Sequence, residues 1–227
     1  MRRLYRNLVL LVLVFISLSL FSKEGIHVSI TWKGEPLVFD STYVSIQGDS
    51  LKLDKFNIYL SNLKLSRKGD IVEEEENSFH LLKYSDSIST NFINWKSDRG
   101  VLHQDISFNI GIDSVTNTSG ALDGDLDPAL GMYWAWHSGY INFKLEGRSN
   151  SCNSLKNKFQ FHIGGFESSK NTLRKIEFKD FKEDSKIEID LSLFFNEVRL
   201  SDLNTVTTVS YHAVKIADLF TKCFQLK

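Results

Sequence analysis

From His27 onward, apolar side chains recur at every second position through most of the chain. Phe56, Ile58 and Leu60 alternate with Asn57, Tyr59 and Ser61. The pattern returns in Ile106, Phe108, Ile110 and Ile112, in Ile141, Phe143 and Leu145, in Phe159, Phe161 and Ile163, and in Ile187, Ile189, Leu191 and Leu193. A period of two turns one side of a strand toward a core and the other toward water. Turn chemistry separates the segments: Lys33-Gly34-Glu35-Pro36, Gln47-Gly48-Asp49, Lys68-Gly69-Asp70, Asn117 to Gly124 and Arg148 to Asn153. So many half-buried strands joined by turns predict an all-β fold, an antiparallel β-sandwich of jelly-roll-like type. One stretch departs from the period. Ala213, Ile216, Ala217, Phe220 and Phe224 recur at helical spacing, which predicts a short C-terminal amphipathic helix.

The N-terminus bears on compartment. Arg2, Arg3 and Arg6 precede an apolar run from Leu8 to Phe21, broken only by Ser17 and Ser19 and closed by Lys23 and Glu24. This is the pattern of a signal peptide over residues 1–22, cleaved near Ser19 or Ser22. The run falls short of the roughly 20 apolar residues that span a bilayer, so no membrane span is expected after cleavage. Residues 23–227 are then one exported β domain, periplasmic or extracellular, and no cysteine stands near the cleavage region to carry a lipid. A formal net charge of -1, with lysines scattered among acids, argues against nucleic acid as a partner. Cys152 and Cys223, in an exported chain, could form one disulfide; alternatively Cys223 is a small buried apolar residue. Glu73 to Glu76 reads as a solvated loop between strands.

The chemistry-bearing residues concentrate between positions 120 and 147. Asp123, Asp125 and Asp127 form a D-x-D-x-D turn of the kind that gathers oxygen ligands around a structural calcium. Pro128 stands where a glycine would permit the sharp calcium-loop turn, and Trp134 where a bidentate glutamate would close the shell. The competing reading is an acidic turn whose exit Pro128 fixes. Next comes Met132-Tyr133-Trp134-Ala135-Trp136-His137-Ser138-Gly139-Tyr140. On a continuous strand Trp134 and Trp136 share one face and Tyr133, Ala135 and His137 the other. His137 and the tryptophans therefore converge only if Ser138-Gly139 introduces a bulge. Two large aromatics in a strand either fill a core or form a platform for sugars or protein.

Histidines occur at positions 27, 80, 103, 137, 162 and 212, with no H-x-H or H-E-x-x-H spacing. Any metal site must therefore be assembled from distant strands. His162, in Phe159-Gln160-Phe161-His162-Ile163-Gly164-Gly165, lies on the opposite phase from its core-facing neighbours. It also precedes a Gly-Gly pair, where another group can approach the backbone closely. No G-x-S-x-G, nucleophilic cysteine setting, phosphate loop or dinucleotide fingerprint is present, so the residues make no positive case for an enzyme.

The stretch "SGALDGDLDPALGMYWAWHSGYINFKLEG" resembles the signature of the MbnP-like family, exported copper-binding proteins named for a periplasmic partner of methanobactin. Supporting segments follow in order: "KFNIYLSNLKL" at 55–65, "FHLLKYSD" at 79–86, "ISFNIGID" at 106–113, "FQFHIGG" at 159–165 and "YHAVKIADLF" at 211–220. The resemblance covers most of the mature chain. It implies a β-sandwich-like domain with a copper site of histidine nitrogens completed by a tryptophan oxidised to kynurenine, an oxidation assigned to a diheme peroxidase-like maturation enzyme. Carried over by position, His162 is the ligand candidate, and Trp134 and Trp136 are the candidates for modification, with Trp136 also a candidate ligand once opened. His137 stands where similar proteins more often have an amide; it either adds a ligand or replaces a polar surface group. The alternative from a different class is a non-catalytic carbohydrate- or protein-binding module that uses the aromatic patch.

Overall fold

The structure, a computed structural model, describes residues 25–227 except 87–88, 90–91, 96–103, 137–138 and 183. The expected signal peptide over residues 1–22 and His137 lie outside the described residues. Strands in chain order are β1 (Ile26–Trp32), β2 (Glu35–Pro36), β3 (Thr42–Val44), β4 (Ser50–Arg67), β5 (Asp70–Glu74), β6 (Phe79–Tyr84), β7 (Phe92–Ile93) and β8 (Gln104–Ile110). They continue with β9 (Tyr133–Trp134), β10 (Gly139–Ser149), β11 (Lys158–Gly164), β12 (Arg174–Phe181), β13 (Lys186–Asp190), β14 (Thr205–Val206) and β15 (Phe224–Leu226). The fold is the expected β-sandwich. A smaller sheet runs β15-β13-β1-β2 with β7 on β1, and a larger one runs β12-β8-β4-β10-β11-β14.

β4 is the spine of the larger sheet. Its 18 residues pair with β10 through the first half and with β8 through the second, while β3, β6 and β5 line the other edge. Two pairings are parallel, β1 with β13 and β11 with β14, against the expectation of a wholly antiparallel sandwich. Each joins strands distant in sequence, where no tight hairpin imposes the antiparallel sense.

Except for Ile112 and Ile141, the alternating residues named above meet between the sheets. Val28, Ile30, Ile187 and Ile189 from the smaller sheet share one buried cluster with Phe56, Ile58, Leu60, Phe108, Phe143, Leu145, Phe159 and Phe161 from the larger. The alternation misled at one strand end. β13 stops at Asp190, whose carboxylate accepts from the Ser192 and Lys33 backbone N–H groups at 2.9 and 3.0 Å. The capped segment Leu191–Glu197 is a helix, not more strand, and buries Leu191, Phe194 and Phe195. The C-terminal helix is Tyr211–Phe220, capped by Ser210 and burying Ala213, Ile216, Ala217 and Phe220; Phe224 lies beyond it in β15. Among the described residues no helix is long and apolar enough to cross a membrane.

A second, smaller core covers the outer face of the larger sheet: Tyr59, Leu81, Ile112, Leu126, Met132, Trp134, Tyr140 and Ile141. Tyr59 and Leu81 are direct cross-strand partners; Tyr59 stands between Ile58 and Leu60 of the main core, and Leu81 directly precedes Leu82 of that core. Alternation therefore points both outward. Ile141 belongs to this outer core while Phe143, two residues on, belongs to the inner one. Such a change of phase requires an extra residue, and the β10–β11 register shifts between Ile141 and Phe143. The expected regular run Ile141, Phe143, Leu145 is thus broken at Asn142. This residue is buried, accepts from the Ile112 N–H at 3.0 Å and donates to the Thr172 hydroxyl at 2.9 Å.

Candidate functional site

The segment from Ser119 to Trp136 folds back over this outer face as a lid. Tyr59 donates its hydroxyl to the Asp125 carbonyl at 2.8 Å, and Asp125 Oδ2 accepts from the Leu81 N–H at 2.9 Å. Asp127 caps the short turn Pro128–Leu130 by accepting from the Ala129 N–H at 2.8 Å. The Tyr140 hydroxyl accepts from the Leu122 N–H at 3.0 Å. The acidic turn is therefore held by its own backbone bonds: Asp125 and Asp127 each serve a different N–H, and Asp123 is exposed. Among the described residues no three His, Cys, Asp or Glu side chains gather as a metal-holding group, these aspartates included.

The expected continuous strand through the tryptophans is a hairpin. β9 ends at Trp134, and Tyr133 and Trp134 pair back onto Tyr140 and Gly139 of β10. Trp134 and Trp136 are thereby separated, the first buried and the second 63% exposed, although their rings remain 5.5 Å apart. Among the described residues of β10, the pairing with β11 shifts register between Ile141 and Phe143 and the pairing with β4 between Glu146 and Gly147, while Ser138 lies outside the described residues.

His162 projects onto the same outer face. Phe161 and Ile163 point into the main core, so His162 and Gly164 point outward together. A Cβ placed on Gly164 would stand 2.9 Å from Cζ3 of Trp134, so the indole lies over the strand on the histidine's side. The spacing from residue 162 to residue 164 is about 7 Å along a strand. The group that approaches the Gly-Gly pair is thus Trp134 at Gly164 and the Lys170 carbonyl at Gly165.

Two residues that sequence reasoning missed complete this face. His162 Nε2 is 2.7 Å from Glu146 Oε1, both side chains being largely buried. Lys144, directly opposite His162 in the β10–β11 register, donates to the Gly131 carbonyl at 2.6 Å and ties the lid to the strand. The hydrogen bond from His162 holds the Glu146 carboxyl below its ordinary range, with Lys55 and Lys144 adding to the effect against the cost of burial. Burial pushes the Lys144 ammonium down. The signal for Glu146 was present in the sequence: it lies on the outward phase of a core strand, where a charged residue needs a partner.

The other described histidines, His27, His80 and His212, lie apart from this pair. His27 is on β1 of the smaller sheet, with Nδ1 buried and unbonded, and burial pushes its pKa down. His80 pairs with Glu75 at 2.7 Å, so the expected solvated acidic loop has one of its members engaged. His212 is exposed in the first turn of the C-terminal helix. The face around His162 offers one imidazole, oriented by a carboxylate, beside an aromatic wall and a glycine cradle. That donor chemistry fits one nitrogen position of a copper site.

The sequence pattern of the family described as MbnP matches residues 23–210. Among solved structures, MbnP from Methylosinus trichosporium is similar at a TM-score of 0.58 and 14% identity, over 82% of this chain and 81% of that one. At that identity the likeness speaks to the fold. No curated protein matches the chain.

Proposed function

The chain belongs to the MbnP family, and from that premise we propose that it is an exported, non-catalytic copper-binding protein with its site on the outer face around His162. The observation that carries this reading is the company His162 keeps: a core-strand histidine turned outward, held by Glu146 at 2.7 Å, on the side of the sheet where Trp134 lies over Gly164. Imidazole is a favoured copper donor, whereas an intact indole offers only an N–H. A tryptophan opened to kynurenine would present an aromatic amine to the metal. Trp134 is the candidate by proximity and Trp136 the candidate by exposure. His137 is the candidate second imidazole, since it follows Trp136 directly in the sequence. A diheme peroxidase-like enzyme is the proposed agent of the oxidation, and the periplasm or cell exterior the proposed compartment.

The test is metal analysis and copper titration of protein purified from its native host, where any maturation partner is present. Stoichiometric copper with a mass shift on a peptide containing Trp134 or Trp136 is the expected result. Protein that carries no modification and takes up no copper overturns the reading.

A second reading has its own observation. Trp136 is 63% exposed, Leu122 of the same lid is 39% exposed, and Val115, in the short helix Ser114–Thr118 that precedes the lid, is 74% exposed. A binding module would use such a patch without metal. Binding of a glycan or protein that is lost in Trp136→Ala and indifferent to chelators would favour it.

A further inference from the structure

We infer that Glu146 is the positioning residue of the His162 site: by accepting the Nε2–H it fixes the imidazole in one tautomer and leaves Nδ1 as the atom that meets a metal. The donor role of Nδ1 rests on the copper reading above; the tautomer does not.

Glu146 and His162 are on adjacent strands, one residue off direct register, since Lys144 opposes His162 and Glu146 opposes Gln160. Both side chains point outward, and their contact is 2.7 Å between Oε1 and Nε2. Glu146 has Lys55 directly opposite it on β4 and Lys144 two residues before it on its own strand. Two cations beside a carboxylate favour its ionised form, which has no proton to give, so the shared proton belongs to the imidazole. A neutral imidazole with Nε2–H carries its lone pair on Nδ1. Among the described residues Nδ1 makes no hydrogen bond, so that lone pair has no competing partner in the fold.

The opposite arrangement is costly. For Nε2 to bind a metal, the 2.7 Å contact must break, and Glu146, whose side chain is 25% exposed, must lose its bond while remaining largely buried. A carboxylate that holds the far nitrogen of a ligand imidazole does the reverse: it locks the ring's rotation and raises the basicity of the near nitrogen.

Two measurements on the full mature chain test this. In the metal-free protein, long-range proton–nitrogen correlation NMR identifies which nitrogen of neutral His162 carries the proton. We expect Nε2–H in the wild type, the same in Glu146→Gln because the amide oxygen still accepts, and a mixture of tautomers in Glu146→Ala. In the copper(II)-loaded protein, pulsed electron paramagnetic resonance reads the remote, uncoordinated imidazole nitrogen. Its couplings should change in Glu146→Ala and return in Glu146→Gln, with copper affinity down about 10–100-fold in the first variant and largely restored in the second. An Nδ1–H tautomer in the wild type, or remote-nitrogen couplings indifferent to Glu146→Ala, overturns the inference. Wild-type protein that binds no copper but shows the Nε2–H tautomer overturns the copper reading and the donor role of Nδ1, and leaves Glu146's hold on the ring standing.

Discussion

Gly164 and Trp134 are in contact across the outer face of the sheet: a Cβ at position 164 would stand 2.9 Å from Cζ3 of Trp134 and 2.5 Å from the Tyr140 carbonyl oxygen. The carbonyl belongs to β10 backbone and cannot swing aside, so Gly164→Ala must push β11 or the indole away. Overpacking of this kind costs about 1–3 kcal/mol. Chemical denaturation with tryptophan fluorescence should show a lowered midpoint and a shifted native emission. A variant of wild-type stability and unchanged emission would mean that the indole does not rest on the strand.

His162→Ala tests the site and the fold together. A histidine on a polar face would be expected to matter little for packing, but this one is the partner of a largely buried carboxylate. Its removal should abolish tight copper binding and also cost about 1–3 kcal/mol, because Glu146 is left without its donor. His162→Gln, which can still donate, should recover most of the stability and none of the affinity. Copper titration alongside urea denaturation separates the two effects; unchanged affinity in both variants removes His162 from the site.

The two cysteines are free in the fold rather than bridged. Both are buried, and burial pushes both thiols up; Cys152 has Asp49 nearby and Cys223 has Asp190, so each stands in its own surroundings. Of the two readings the sequence left open, the bridge followed from the compartment, which sets whether a disulfide survives and not whether two sulfurs meet, and the burial of Cys223 as a small apolar residue is the one the fold shows. Unfolded, unreduced protein should therefore take up two equivalents of a thiol reagent, and a reductant should leave the melting temperature unchanged. A single mixed result, with no labelling until reduction, would establish a bridge instead.

Much of the sandwich could be read from the alternation, because a period of two is dictated locally by the pleat. Its failures are also local and physical. Leu191 and Leu193 extend the pattern of β13, yet Asp190 captures the Ser192 N–H and starts a helix. Trp134 and Trp136 share a parity that has meaning only on one strand, and the chain turns between them. For the site, the outward phase of His162 and the glycine cradle were legible. Glu146 was not identified, because pairing between β10 and β11 depends on a register that the bulge at Asn142 shifts.

Alkaline pH gives a test of the outer core. Burial raises the Tyr59 phenol well above its ordinary value, with Tyr140, Asp125 and Asp127 contributing, and burial does the same at Tyr84. In the unfolded chain a phenol titrates near pH ~10. The folded value is higher, so the stability linked to these groups is complete below about pH 10 and is lost as pH rises toward the folded value. Tyr59→Phe should be about 1 kcal/mol less stable at neutral pH, having lost its bond to the Asp125 carbonyl. Above pH ~10 its stability should fall less steeply than that of the wild type, since one titrating group is gone. Equal slopes in denaturation series at increasing pH would show that Tyr59 is not protected by the lid.

Asn142 stands at the change of phase that puts Ile141 in the outer core and Phe143 in the inner one. Its amide is buried in the bulge of β10, where Oδ1 accepts from the Ile112 N–H at 3.0 Å and Nδ2 donates to the Thr172 hydroxyl at 2.9 Å. Gly111 permits this approach: a Cβ there would fall 2.1 Å from Asn142 Cγ, and its φ of +102° suits glycine alone. Asn142→Ala removes both bonds without removing the extra residue, leaving a buried N–H at Ile112 unsatisfied, while the Thr172 hydroxyl keeps its bond to the Gly165 carbonyl at 3.2 Å. The variant should lose about 1–3 kcal/mol for that group. Ile112 and Tyr140 both belong to the outer core that carries Trp134, so the damage should reach the candidate site through the sheet. Amide hydrogen exchange is the discriminating measurement. Faster exchange at Ile112 and across β9 and the start of β10, with β1 and β13 still protected, is the expected pattern. Uniformly faster exchange would show that Asn142 supports global stability alone, and no change would show that the bulge is held by other contacts.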